Sequence, residues 1–105
     1  ILDTKKDLES SNIMAPIVGH VGDGNFHLIL LVDPENKDEV NEAKEINDRL
    51  IKRALKMGGT CTGEHGIGLG KKEHLRLEKG ISVDVMSQIK KALDPKNIMN
   101  PGKIF

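Results

Sequence analysis

Between Asp33-Pro34 and Gly58-Gly59 the chain carries apolar residues at helical spacing: Val40, Ala43, Ile46, Leu50, Ile51, Ala54 and Met57. A helix of this length has one apolar face, and that face needs a second layer to cover it. The ends of the segment are marked too. Asp33 suits an N-cap and Pro34 the first helical position. Glu35, Asp38 and Glu39 put negative charge at the start, and Lys52, Arg53 and Lys56 put positive charge at the end, as the helix dipole favours. Gly58-Gly59 then stops the helix.

The segments before this helix supply strands. Ile13 to Val21 is apolar, with Pro16 and Gly19 inside it, and Asn25 to Val32 is apolar almost without a break. An unbroken run predicts a strand buried on both faces. Gly22-Asp23-Gly24-Asn25 lies between them, and Asp-Gly is a strong signal for a two-residue hairpin turn. The chain opens on Ile1 and a polar, helix-like stretch, Asp3 to Ser11, which reads as the end of an element that begins upstream. After the long helix comes a glycine-dense loop, Thr60 to Gly70. A short charged helix over Lys71 to Lys79 follows, broken by Gly80. A last helix, capped by Ser82, carries Val83, Met86, Ile89 and Leu93 and is stopped by Asp94-Pro95. The tail contains the turn Asn100-Pro101-Gly102. Strands and helices are both present, but there are too few strands to close a sheet, so an α+β fragment is expected.

Composition narrows the chemistry. The 105 residues are enough for one domain at most. The only aromatics are Phe26 and Phe105, so the core is aliphatic. Basic and acidic residues balance at 16 each. That balance, without aromatic platforms for bases, argues against a nucleic-acid partner. No apolar run approaches the roughly 20 residues that span a bilayer. No signal-peptide pattern is present. Cys61 stands alone, which removes an internal disulfide or a CxxC metal site; it reads as a buried structural thiol.

Two segments can hold chemistry. In the first, Gly19 to His27, a two-residue turn at Asp23-Gly24 would pair His20 with His27 on one face, Cβ atoms about 4.5–5.5 Å apart, close enough to share a divalent ion. A slip of one residue would separate them. The same residues also suit an ordinary turn that binds nothing. In the second, Gly63-Glu64-His65-Gly66-Ile67-Gly68, a carboxylate and an imidazole stand side by side on a glycine-rich loop. Glu64 can complete a His-His-carboxylate set, which leaves open positions for a substrate, and His65 can act as general base. A plain connecting loop remains the alternative. The Walker pattern fails, because His65 stands where a glycine is required, and the dinucleotide pattern fails because no strand leads into the loop.

Taken together, Gly-His-Val-Gly-Asp-Gly-Asn-Phe-His (19–27), Gly-Glu-His-Gly-Ile-Gly (63–68) and Asp-Pro-Lys-Asn-Ile-Met-Asn-Pro-Gly-Lys (94–103) resemble the C-terminal domain of FAD-linked oxidases. This family includes D-lactate dehydrogenase, the glycolate oxidase flavin subunit and D-2-hydroxyglutarate dehydrogenase. The likeness runs over nearly all of residues 1–105. It is strongest to the mitochondrial D-lactate dehydrogenase branch around Gly59 to Gly68. The resemblance implies part of an antiparallel-sheet cap domain with covering helices and C-terminal helices, the FAD-binding domain lying outside it. It implies His20, His27 and Glu64 as ligands of a divalent metal (zinc or manganese), His65 as the catalytic base, and Asn25 and Asn100 near the flavin.

Ile29 stands where the hydroxyglutarate enzymes carry a polar Asn, which favours in the substrate pocket a monocarboxylate such as D-lactate, or a longer apolar D-2-hydroxyacid. The expected activity is oxidation of D-lactate to pyruvate by metal-assisted hydride transfer to FAD, with glycolate or D-2-hydroxyglutarate as alternative substrates. The expected acceptor is a cytochrome or an electron-transfer flavoprotein. A eukaryotic source implies a mitochondrial location, and any other a cytoplasmic or membrane-associated one. This segment by itself is expected to be inactive. Two rival classes stay open: a stand-alone metal-dependent hydrolase, and a structural module without metal affinity.

Overall fold

Four α-helices and one antiparallel strand pair make up the fold, in the order α1 (Leu2–Glu9), β1 (Ile17–Val18), a 3-10 turn (Val21–Asp23), β2 (His27–Leu28), α2 (Lys37–Lys56), α3 (Lys72–Lys79) and α4 (Ser82–Leu93). The computed structural model describes residues 1–105. The chain is α+β, as its pattern predicts. It forms two compact units, 1–57 and 58–105.

In the first unit, α2 is the long amphipathic helix expected. Its N-cap is Asn36 rather than Asp33. The Asn36 side chain accepts from the backbone N–H groups of Asp38 and Glu39 at 3.2 and 3.3 Å, and its amide donates to Glu39 Oε1 at 2.8 Å. Glu39 Oε2 in turn accepts from the Asp33 N–H at 2.9 Å. This is a reciprocal capping arrangement. Asp33 accepts from the Glu35 N–H and so shapes the turn before the helix. Ala43 and Ile46 of α2 are buried with Ile13, and Leu8, Leu28, Leu30 and Val32 pack around them. Helix α1 is fastened to α2 by Arg53, which donates to the buried Thr4 hydroxyl at 3.3 Å and to Asp7 at 2.7 Å. With Arg49 also near, Asp7 is held below the ordinary carboxylate range.

The strand pair is shorter than the apolar runs. Its ladder joins Ile17 to Leu28 and Val18 to His27, and an isolated bridge joins Met14 to Leu31. Pro16 explains the interruption. It has no N–H to donate, although its carbonyl still accepts from Ile29 at 3.0 Å. Side chains alternate across such a strand. Leu28, Leu30 and Val32 face the core, whereas Ile29 and Leu31 are exposed. The expectation of burial on both faces is therefore not met within this unit.

In the second unit α3 and α4 pack together, with Leu75 and Val83 buried. Ser82 is the first helical residue of α4 and makes no capping bond. Of the apolar positions expected on α4, Ile89 and Leu93 are exposed.

Replacing Asn36 by Ala is expected to lower stability by about 1 kcal/mol, read from the midpoint of urea unfolding. An unchanged midpoint would return the cap to Asp33.

Candidate active site

The loop between the strands does not take the two-residue form expected for Asp23-Gly24. His20, Val21, Gly22 and Asp23 wind into a 3-10 turn. The His20 carbonyl accepts from the N–H groups of Asp23 (2.9 Å) and Asn25 (3.2 Å), and Gly24 closes the turn in the left-handed region at φ 73°. Gly19 is required at the base of this loop. A Cβ there would stand 2.5 Å from Phe26 Cα, and its φ of 149° is strained for any other residue. The ladder consequently pairs His27 with Val18, and His20 is not the strand partner of His27. The direct pairing read from the sequence is corrected on this point. A 3-10 turn uses more residues than a two-residue hairpin, so the register moves.

The remaining residues of this segment fall as follows. His20 is exposed and lies in the loop, Asn25 is half-buried beside it, and His27 is half-buried on β2. Period-two alternation puts Ile29 on the same outward face as His27, where it is 44% exposed.

In the second unit the structure does bring Glu64 and His65 together: Nε2 of His65 lies 3.6 Å from Oε1 of Glu64, with both side chains open to solvent. Their loop is pinned at its start by α3 and at its end by the C-terminal tail. At its start, Glu78 Oε2 accepts from the Thr60 hydroxyl at 3.0 Å and from the Cys61 N–H at 2.8 Å. Glu78 Oε1 also meets the Lys79 ammonium at 2.9 Å, and its side chain is only 8% exposed. At its end, the Gly68 carbonyl accepts from the Ile104 N–H at 2.8 Å. Lys72 donates to the carbonyls of Gly102 and Phe105 at 3.0 and 2.7 Å. The tail that contains Asn100 is thereby held against the loop that carries Glu64 and His65. Asn100 is exposed, with φ at 46°.

A second buried carboxylate shapes the approach to that tail. Asp94 pairs with Lys90 and accepts from the N–H groups of Ile98 and Met99 at 3.0 and 2.9 Å. Lys90 chiefly, against the opposing effect of burial and with help from the two N–H groups, lowers the Asp94 carboxyl to about 2. Burial pushes the Glu78 carboxyl up, but the bonds from Cys61, Lys79 and Thr60 outweigh it and hold the group at about 2. The Cys61 thiol moves the other way, raised by burial and then by Glu78. Cys61 is buried, as a structural thiol would be.

Sequence reasoning missed Glu78, Lys72 and Asp94. For Glu78 a signal existed. A carboxylate in the last turn of a helix opposes the dipole, so its presence asks for a partner outside the helix.

The sequence expectation for His20, His27 and Glu64 rests on donor type, since imidazoles and carboxylates are the groups that suit a divalent ion. His65 beside Glu64 offers a proton acceptor. The family model described as FAD linked oxidases, C-terminal domain, matches residues 1–104. A probable mitochondrial D-lactate dehydrogenase of Danio rerio is 56% identical, and the match covers 100% of this chain and 21% of that protein. A mitochondrial D-lactate dehydrogenase (cytochrome) of Saccharomyces cerevisiae is 51% identical, over 100% of this chain and 18% of that protein. Its namesake in Arabidopsis thaliana is 46% identical, over 97% and 18%. The chain thus spans about a fifth of the length of these relatives.

Glu78 and Asp94 have folded-state values below their ordinary ones. Their contribution to stability is complete above about pH 4.5 and is lost as pH falls toward about 2. Acid titration followed by NMR signals of residues 58–105 is expected to show loss of structure in that window. The loss is expected to be shallower in Glu78→Gln, and an identical profile would contradict the assignment.

Proposed function

The chain belongs to the C-terminal domain family of FAD linked oxidases, and from that premise we propose that it forms part of a flavin-dependent dehydrogenase that oxidises D-lactate to pyruvate. The observation that carries this reading is the Glu64-His65 pair at 3.6 Å on a loop held against the Asn100 tail. The names of three relatives similar over the whole or nearly the whole chain, all D-lactate dehydrogenases, support it. The mitochondrial location in the same names supports a mitochondrial setting, and the word cytochrome in two of them supports a cytochrome as acceptor; an electron-transfer flavoprotein is the other acceptor class.

His20, His27 and Glu64 would hold a zinc or manganese ion, and Asn25 and Asn100 would lie toward the flavin. When bound, the flavin supplies a two-electron acceptor and the metal a Lewis acid. The work of this chain is orientation and proton transfer. His65 takes the substrate's hydroxyl proton at an imidazole nitrogen. The C–O bond becomes the carbonyl of the 2-oxo acid as the Cα hydrogen leaves with its electron pair. Ile29, apolar on the outward face, suits the methyl end of lactate and offers nothing to a second carboxylate.

Two variants of the full-length flavoprotein test this. Glu64→Ala is expected to weaken zinc or manganese affinity by roughly 10-fold or more, since loss of even an outer-sphere partner costs about that much. Metal content after dialysis is the readout, and full retention would remove Glu64 from the ligand set. His65→Gln is expected to slow flavin reduction about 10²–10⁴-fold in stopped flow at saturating D-lactate. An unchanged rate would remove His65 as the base.

A further inference from the structure

Glu78 occupies an unfavourable place for a carboxylate. It is in the last turn of α3, where the helix presents its negative end, and its side chain is almost fully covered. A buried charge in such a place is retained only with strong partners. Besides its sequence neighbour Lys79, those partners come from the entry to the glycine-rich loop: the Thr60 hydroxyl and the Cys61 N–H. One of the two is main chain, so Glu78 grips the backbone of the loop and not merely a side chain. From Cys61 to Glu64 is three steps of chain, each at most about 3.6 Å long, so holding the Cys61 N–H limits where Glu64 can go. The far end is held by the bond from Ile104 to Gly68. Gly63 and Gly66 lie between the pins, and Gly66 and the pinned Gly68 take positive φ. A segment so rich in glycine has little stiffness of its own.

We propose that Glu78 is a positioning residue for the Glu64-His65 pair, fixing the entry of their loop through Thr60 and Cys61 so that carboxylate and imidazole are presented together. The role rests on the reading under Proposed function. It assigns to a residue 13 positions beyond His65 a part in the reaction without contact to the substrate. Cys61 is a built-in reporter of the grip. The residue is 4% exposed, so opening of the loop entry makes its thiol more reachable.

The experiment uses the full-length flavoprotein and the variants Glu78→Ala, Glu78→Gln and Thr60→Val. One readout is the rate of iodoacetamide alkylation at Cys61, measured by mass spectrometry of its peptide. The other is the single-turnover rate of flavin reduction at saturating D-lactate. In Glu78→Ala, alkylation is expected to speed up about tenfold or more, through local opening and through loss of the carboxylate that raises the Cys61 thiol; Thr60→Val keeps that carboxylate and isolates the opening. Flavin reduction is expected to slow about 10²-fold, the scale of an ångström-level misplacement, with flavin content unchanged. Glu78→Gln still offers an oxygen to the Cys61 N–H and is expected to restore most of both. Thr60→Val, which removes one of the two bonds, is expected to shift both readouts in the same direction by less, and it decides the question if Glu78→Ala does not fold.

Unchanged alkylation in both Glu78→Ala and Thr60→Val overturns the grip. Faster alkylation with an unchanged reduction rate overturns its role in the reaction. A wild-type flavin that no 2-hydroxy acid reduces overturns the reading under Proposed function instead, and alkylation then decides the grip alone.

Discussion

The bond from the Cys61 N–H to the Glu78 carboxylate determines much of what the second unit can do. It joins the start of a glycine-rich loop to the end of a helix, and the same helix carries Lys72 at its other end, bonded to the tail. Helix α3 is therefore the part to which both candidate site segments are tied. The loop with Glu64 and His65 is held at its entry by Glu78, and the tail is held by Lys72 and by the Ile104 N–H on Gly68. Charged groups make the strongest of these bonds, and they do so where an apolar core is small: Cys61, Leu75 and Val83 are the buried apolar residues of this unit. With few aliphatic contacts to define the geometry, the Glu78 and Asp94 carboxylates and the ammonium groups of Lys72 and Lys90 carry the positional information.

The first unit relies on a different device. Its core is aliphatic, built on Ile13, Ala43 and Ile46, and its strand pair is short because Pro16 withholds a donor. The loop that carries His20 and Asn25 depends on Gly19, whose backbone passes too close to Phe26 for any side chain. This close approach, together with the 3-10 turn, sets the position of His20 relative to β2.

The long helix, the α+β class, the break at Gly80 and the stop at Asp94-Pro95 could all be read from the chain, because periodicity, caps and breakers act locally. The details that escaped were contests between neighbouring signals. Asp33 and Asn36 are both good N-caps. Asn36 prevails because Glu39 stands three residues later and completes the reciprocal bonds. Asp23-Gly24 is a good hairpin turn, yet the His20 carbonyl gathers two N–H donors and lengthens the loop, which moves His27 opposite Val18. The Glu64-His65 pair was legible because its residues are adjacent. The loop partners of Glu78 and the tail partners of Lys72 were not, since they lie 17 or more positions away in the chain and only the fold brings them together.

The proposed function is the oxidation of a D-2-hydroxy acid by a flavin. It is tested most directly by mixing the oxidised full-length protein with D-lactate or L-lactate without oxygen and following the flavin absorbance. Rapid bleaching by D-lactate, with L-lactate leaving the spectrum unchanged, is the predicted result. A flavin that stays oxidised with D-lactate, or that L-lactate bleaches equally fast, would contradict the account.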